Sequence, residues 1–145
     1  MTGSDGRSPS PDFGESSPPP WKKLAWLPGA FAVCRFPPEF PVPVFPRPSS
    51  LYSVTRTESE LSVVCEEAFA PENAVCESGW RALRVRGPIP FTVTGVLAAL
   101  SAPLARAGLS MFVLSTYDTD YVLVRGADAE AALAALEKDG FTLEP

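Results

Sequence analysis

The chain has 145 residues, 46 % hydrophobic and 20 % charged, enough to bury the core of one domain or of two very small ones. Its formal net charge is −5 and it carries no basic stripe, which excludes it as a binder of phosphate backbones. It has no histidine, so the His-based acid/base pairs, the Ser–His and Cys–His nucleophiles and the commonest zinc ligand are missing. No enzymatic activity, metal or cofactor is expected.

Residues 1–22 open the chain with Gly, Ser and Pro and few apolar side chains, and are read as a disordered tail. Two lysines, Lys22 and Lys23, then precede an apolar stretch broken by Pro28 and Gly29. That stretch is too short and interrupted to span a bilayer, so a soluble, cytoplasmic protein is expected. Residues 30–36 form a strand stopped by Pro37-Pro38, and a Pro-rich connector occupies 37–50. Two short strands follow at Leu51–Arg56 and Leu61–Cys65, separated by a polar break. Residues 66–79 show no clear period and suggest a boundary between modules.

Trp80–Val85 alternates as a half-buried strand. A helix should start near Thr92 or Thr94, either able to cap it, with Val96, Leu97, Leu100 and Leu104 at helical spacing. Pro103 should kink or split that helix, and Gly108 should stop it. Leu109–Thr116 and Tyr121–Val124 are strands around an acidic turn. A second helix runs from about Ala129 to Asp139, with Asp128 as N-cap and Gly140 beyond its end. Phe141–Leu143 supplies a short last strand. The second half therefore reads β-α-β-β-α-β, the ferredoxin-like order.

An offset of sixty lays residues 51–64 on residues 111–124, matching Leu51 to Met111, Val54 to Leu114 and Val63 to Leu123. It also sets Glu58 and Glu60 against Asp118 and Asp120. This pattern suggests duplication of one unit, with no first-half counterpart to the helix near residues 94–107. The three cysteines, Cys34, Cys65 and Cys76, show no Cys-x-x-Cys and are expected to be reduced, buried small hydrophobes.

The segments SVTRTESELSVVCEE and GWRALRVRGPIPFTVTGVLAALSAPLARAGLSMFVLSTYDTDYVLV resemble small tandem ACT-domain proteins of bacteria and fungi, relatives of the CASTOR cytosolic arginine sensors. The most specific part is TGVLAAL followed by GLSMFVLSTYDTDYVLV. The resemblance implies an α+β fold of tandem ACT-like, ferredoxin-like βαββαβ modules, the first degenerate (residues 23–78) and the second complete (residues 79–145). It further implies regulation by a small molecule, usually an amino acid, bound where modules meet. The chain is about half as long as the CASTOR pattern, so a composite site implies a homodimer, with a regulated protein partner possible.

An amino-acid ligand needs donors for its carboxylate and acceptors for its ammonium. The loop Phe91–Gly95 enters a helix whose first N–H groups are free to donate, and Gly95 would permit close approach or tight helix–sheet packing. Asp118 and Asp120 flank Thr119 on the turn, where a carboxylate could accept from a cation or simply stabilise the turn. By motif position, the resemblance assigns ligand contacts to Asp120 and Thr116. The candidate ligand-binding residues are thus Thr94, Gly95, Thr116, Asp118 and Asp120. The competing expectation is a ligand-free homodimerisation or protein-interaction module, because exposed sheet edges must be covered.

Overall fold

A computed structural model describes residues 18–45 and 49–145. The expected tail therefore lies outside the described residues up to residue 17. Its last residues are ordered: Pro20–Lys22 make a 3₁₀ turn, and Trp21 packs against Phe141 with ring centroids 6.1 Å apart.

The elements in chain order are β1 (Lys23–Trp26), β2 (Phe31–Phe36), β3 (Ser53–Arg56), β4 (Leu61–Glu66), β5 (Val75–Val85), α1 (Val96–Arg106), β6 (Met111–Ser115), β7 (Asp120–Arg125), α2 (Ala129–Lys138) and β8 (Thr142–Leu143). All eight strands join one sheet. Its axis is β5, eleven residues long. Along one side of β5 run first β1, with Trp26 opposite Leu83, and then β2, with Phe31 opposite Trp80 and Arg35 opposite Val75. The other side pairs with β7 from Trp80 to Arg84. β4 and β3 extend the sheet beyond β2, β6 extends it beyond β7, and β8 lies parallel to β1.

Two ferredoxin-like strand orders overlap in this arrangement. In one, β2, β3, β4 and the first half of β5 follow each other in the chain and lie side by side as β3-β4-β2-β5. In the other, the second half of β5 starts the unit β5-α1-β6-β7-α2-β8, with β1 inserted between β5 and β8. The segment 66–79, expected to separate two modules, thus holds the first five residues of a strand common to both units.

The register slips on β5 between the pairs Phe31–Trp80 and Val33–Glu77, so Ser78 and Gly79 together face Ala32. Gly79 has φ +82°, the left-handed geometry of a glycine bulge. One extra residue reverses the in–out alternation downstream. The apolar positions Leu83 and Val85 thereby join the side of the sheet that carries Cys76. On that side, Leu83, Val85, Val122 and Val124 pack under Val96, Leu100 and Leu104 of α1 and Ala132 and Leu136 of α2. Over the first unit no α-helix stands there among the described residues. The Pro-rich connector covers Ala32, Cys34, Phe36, Leu61, Val63 and Cys65 instead. It contributes Phe45, stacks Phe40 on Phe36 with centroids 4.7 Å apart, and is held by Arg56 donating to the Pro38 and Phe40 carbonyls and by Tyr52 donating to Pro43 O at 2.6 Å. The opposite face carries Phe31, Val64, Trp80, Ala82 and Leu123.

Several sequence-based expectations need correction. β1 is a strand of four residues, and the expected strand at 80–85 starts five residues earlier. Helix α1 begins after Gly95, whose φ is +81°, and no threonine side chain caps it. It runs unbroken through Pro103, which forgoes the one backbone bond its missing N–H would have donated and buries its ring among Val96, Leu100 and Leu104 on the buried side of the helix. Cys34 and Cys76 are cross-strand partners on β2 and β5, with Cα atoms 4.1 Å apart, and form a disulfide; only Cys65 is a free, buried thiol.

The internal repeat survives with a different offset. Arg56 pairs Leu61 around residues 57–60, and Ser115 pairs Asp120 around residues 116–119. Thr57 N donates to Glu60 O at 2.9 Å, and Thr116 N donates to Thr119 O at 2.8 Å. Each threonine hydroxyl closes its own turn on the same pair of residues. The hairpins superpose at an offset of fifty-nine residues (116 − 57 = 59). Glu58 and Glu60 are therefore not the counterparts of Asp118 and Asp120; Leu61 occupies the place of Asp120.

Candidate functional site

The β6–β7 turn is docked onto the segment that leaves β5. Thr119, the one buried polar residue among those described, donates its hydroxyl to Val85 O. Ile89 N donates to Asp118 O at 2.6 Å. Gly87, next to the cis Gly87–Pro88 bond, lies so close that a Cβ there would meet Asp118 O and the Thr119 Cβ at 3.0 Å. These contacts hold the turn beside the start of α1.

Between them opens a cleft of about 400 Å³. One wall is the loop and first turn of α1, with Ile89, Pro90, Phe91, Val93, Gly95, Val96, Leu97 and Ala98; the other is Ser115 to Asp120. α1 enters without a side-chain cap, so the N–H groups of its first turn and the positive end of its dipole are available on one wall. Two carboxylates, Asp118 and Asp120, stand on the other. Asp120 is half-buried and its Oδ1 accepts from Ser115 Oγ at 2.6 Å, across a directly opposed strand pair. Asp118 is exposed. At the mouth, Phe91 and Tyr117 meet edge to face, with centroids 4.9 Å apart.

Four of the five sequence-predicted residues, Gly95, Thr116, Asp118 and Asp120, line this cleft; Thr94 does not. The hydroxyl of Thr116 is committed to its own turn. Sequence reasoning missed the apolar wall of Ile89, Phe91, Val93 and Leu97. Its signal was available: two bulky residues in a Pro-rich loop, and Leu97 on a helix face away from the core set Val96, Leu100 and Leu104. A second groove of about 470 Å³ lies on the far side of the same turn, between Arg84, Arg86, Tyr121 and Glu144, and shares Thr116, Asp118 and Thr119 with the first. Arg86 there is paired with Glu144 at 3.1 Å.

Among the described residues, no group of three or more Cys, Asp or Glu is placed to hold a metal, and no helix is long and apolar enough to cross a membrane.

The fold and cleft define a class: tandem ferredoxin-like units of the kind that build regulatory modules. Residues 75–138 match the family model described as ACT domain, and residues 29–73 match a second model of an N-terminal domain. An Agrobacterium tumefaciens protein of known crystal structure is 33 % identical, with a TM-score of 0.78 over 84 % of this chain and 91 % of that one. Residues 75–138 are thus an ACT domain, and the chain is similar to the CASTOR-type arginine sensors. The bovine cytosolic arginine sensor for mTORC1 subunit 1 is 30 % identical over 99 residues, covering 61 % of this chain. That match spans 30 % of the sensor's own length. The regulatory subunit of aspartate kinase from Thermus thermophilus shares the fold, at 14 % identity and a TM-score of 0.54 over 81 % of this chain and 94 % of that one.

Proposed function

We propose that the chain is a non-catalytic regulatory module that binds an amino acid in the cleft between α1 and the β6–β7 turn. The observation that carries this reading is the pairing of opposite chemistries across one cavity. The uncapped first turn of α1 suits a carboxylate. The half-buried carboxylate of Asp120, oriented by Ser115, suits an ammonium group. Asp118 adds negative potential at the rim. Likeness to a cytosolic arginine sensor and to the regulatory subunit of aspartate kinase is in keeping with such a role. In this reading residues 23–78 are a degenerate first module and residues 79–145 a complete second one. The first presents a partner surface, and a regulated protein reads the occupancy of the second.

Thermal-shift and calorimetric titrations against the twenty amino acids test this. A ligand at a hundred times its Kd should raise stability by about 2.7 kcal/mol. Asp120→Asn should abolish the response and leave the unliganded melting temperature nearly unchanged. A flat response to every amino acid at millimolar concentration, or an Asp120→Asn variant that binds like the parent, overturns the assignment.

A second reading has its own support. Among the described residues β6 pairs only β7, so its outer edge, next to the cleft at Ser115, offers backbone groups for pairing and an exposed Val113. Edge pairing of two β6 strands would make a homodimer and bring two clefts together. Analytical ultracentrifugation with and without ligand separates a ligand-free dimer from a ligand-linked one.

A further inference from the structure

Resting on the amino-acid reading above, we propose that the ligand is an α-amino acid with an apolar side chain, aliphatic or aromatic, rather than a cationic one. Once the first turn of α1 and Asp120 hold the carboxylate and the ammonium, the rest of the lining decides the side chain. Its α1 side is the apolar wall of Ile89, Pro90, Phe91, Val93 and Leu97, none of whose side chains offers a hydrogen bond; Ser115, Thr116, Tyr117 and Asp118 line the turn opposite.

Several of these residues stand open at one spot. Phe91 is 74 % exposed and Tyr117 81 % exposed, and Val93 and Leu97 are open beside them in the same cleft. An apolar side chain laid there removes its own surface and theirs from water together. A guanidinium or second ammonium in the same place would lose hydration and find no side-chain acceptor on the α1 wall, only the exposed Tyr117 hydroxyl opposite. The remaining carboxylate is Asp118, which is exposed at the turn between the two cavities, where an ion pair gains little over hydration.

Calorimetric titration of the full chain with norleucine and lysine isolates the charge, because the two share a backbone and a four-carbon chain. Norleucine is expected to bind about tenfold tighter than lysine or more, and Leu97→Ala to weaken norleucine by about threefold while leaving lysine unchanged. Leu97 is partly exposed at the surface of α1, so this variant keeps the core intact. Lysine or arginine binding as tightly as norleucine overturns the inference and leaves the amino-acid reading standing. N-acetylnorleucine binding as tightly as norleucine overturns the ammonium site while sparing the apolar wall. If none of these binds, both fall.

Discussion

Reduction of the Cys34–Cys76 disulfide should destabilise the protein by an amount set by the loop it closes. The two cysteines are 42 residues apart, and the enclosed chain contains the connector, β3 and β4. A cross-link over that separation removes about 4 kcal/mol of conformational freedom from the unfolded chain at room temperature. In a chain of this size each kcal/mol moves the melting temperature by about 2–4 °C. Reduction, or the double substitution Cys34→Ser and Cys76→Ser, should therefore lower it by about 8–16 °C. The assay is thermal unfolding followed by circular dichroism with and without a phosphine reductant, combined with thiol titration of the denatured chain. One thiol, Cys65, should titrate before reduction, and all three cysteines of the sequence after it. Three thiols without reductant would show that the pair is not joined. One thiol with a melting temperature that moves by less than about 2 °C on reduction would refute the loop-entropy reasoning.

Gly87→Ala drives a methyl group into Asp118 O and Thr119; it should cost about 1–3 kcal/mol and weaken ligand binding by displacing the turn, both readable by calorimetry. Thr119→Val leaves Val85 O without its side-chain donor and should destabilise by about 1–3 kcal/mol in urea titration. Deleting Gly79 should abolish folding, because it turns Leu83 and Val85 away from α1 and α2; Gly79→Val, strained at positive φ, should cost about 1–2 kcal/mol. Burial first, and the neighbouring Glu66 second, push the Cys65 thiol up to about 11. Its raised value means the unfolded thiol ionises first as pH rises. The contribution of Cys65 to stability is thus complete below about pH 9 and should be lost between pH 9 and 11, and native-state alkylation at pH 8 should be far slower than in urea.

The sequence was most readable where one residue pattern had one structural outcome. Helix α2, with its alanine–leucine stripe and following Gly140, lies within a residue of its expected span. Both hairpins were visible from their alternation. The first half of β5 was not, because Glu77, Ser78 and Gly79 look like loop; they are tolerated in strand where that half of β5 pairs on one side alone and bulges at Gly79. The repeat offset erred by one because β4 and β7 are apolar at consecutive positions, as at Val63 and Val64, so a one-residue slip still lays apolar on apolar, whereas the hydroxyl-closed turns at Thr57 and Thr116 fix it outright. No spacing rule could join Cys34 to Cys76, since their adjacency comes from the β2–β5 register. At the cleft, the polar candidates could be picked out as a helix entrance and an acidic turn. The apolar wall was signalled by Leu97 off the core face of α1 and by its bulky loop residues, but loop composition alone does not say that Phe91 stays uncovered.

β5 has a consequence for how the chain can be divided. A cut between residues 78 and 79 would leave one fragment with β1 unpaired and only a four-residue stub of β5, and the other with a raw first strand that lacks β1. Expressed separately, neither piece should hold its shape; mixed, they should reconstitute the whole. The same strand runs from the disulfide at one end to Val85, which receives the Thr119 hydroxyl of the docked turn, at the other. A change at the turn is therefore felt as a pull on a beam that both units share, so the amides of β5 should exchange last in the empty protein and slower still in the occupied one.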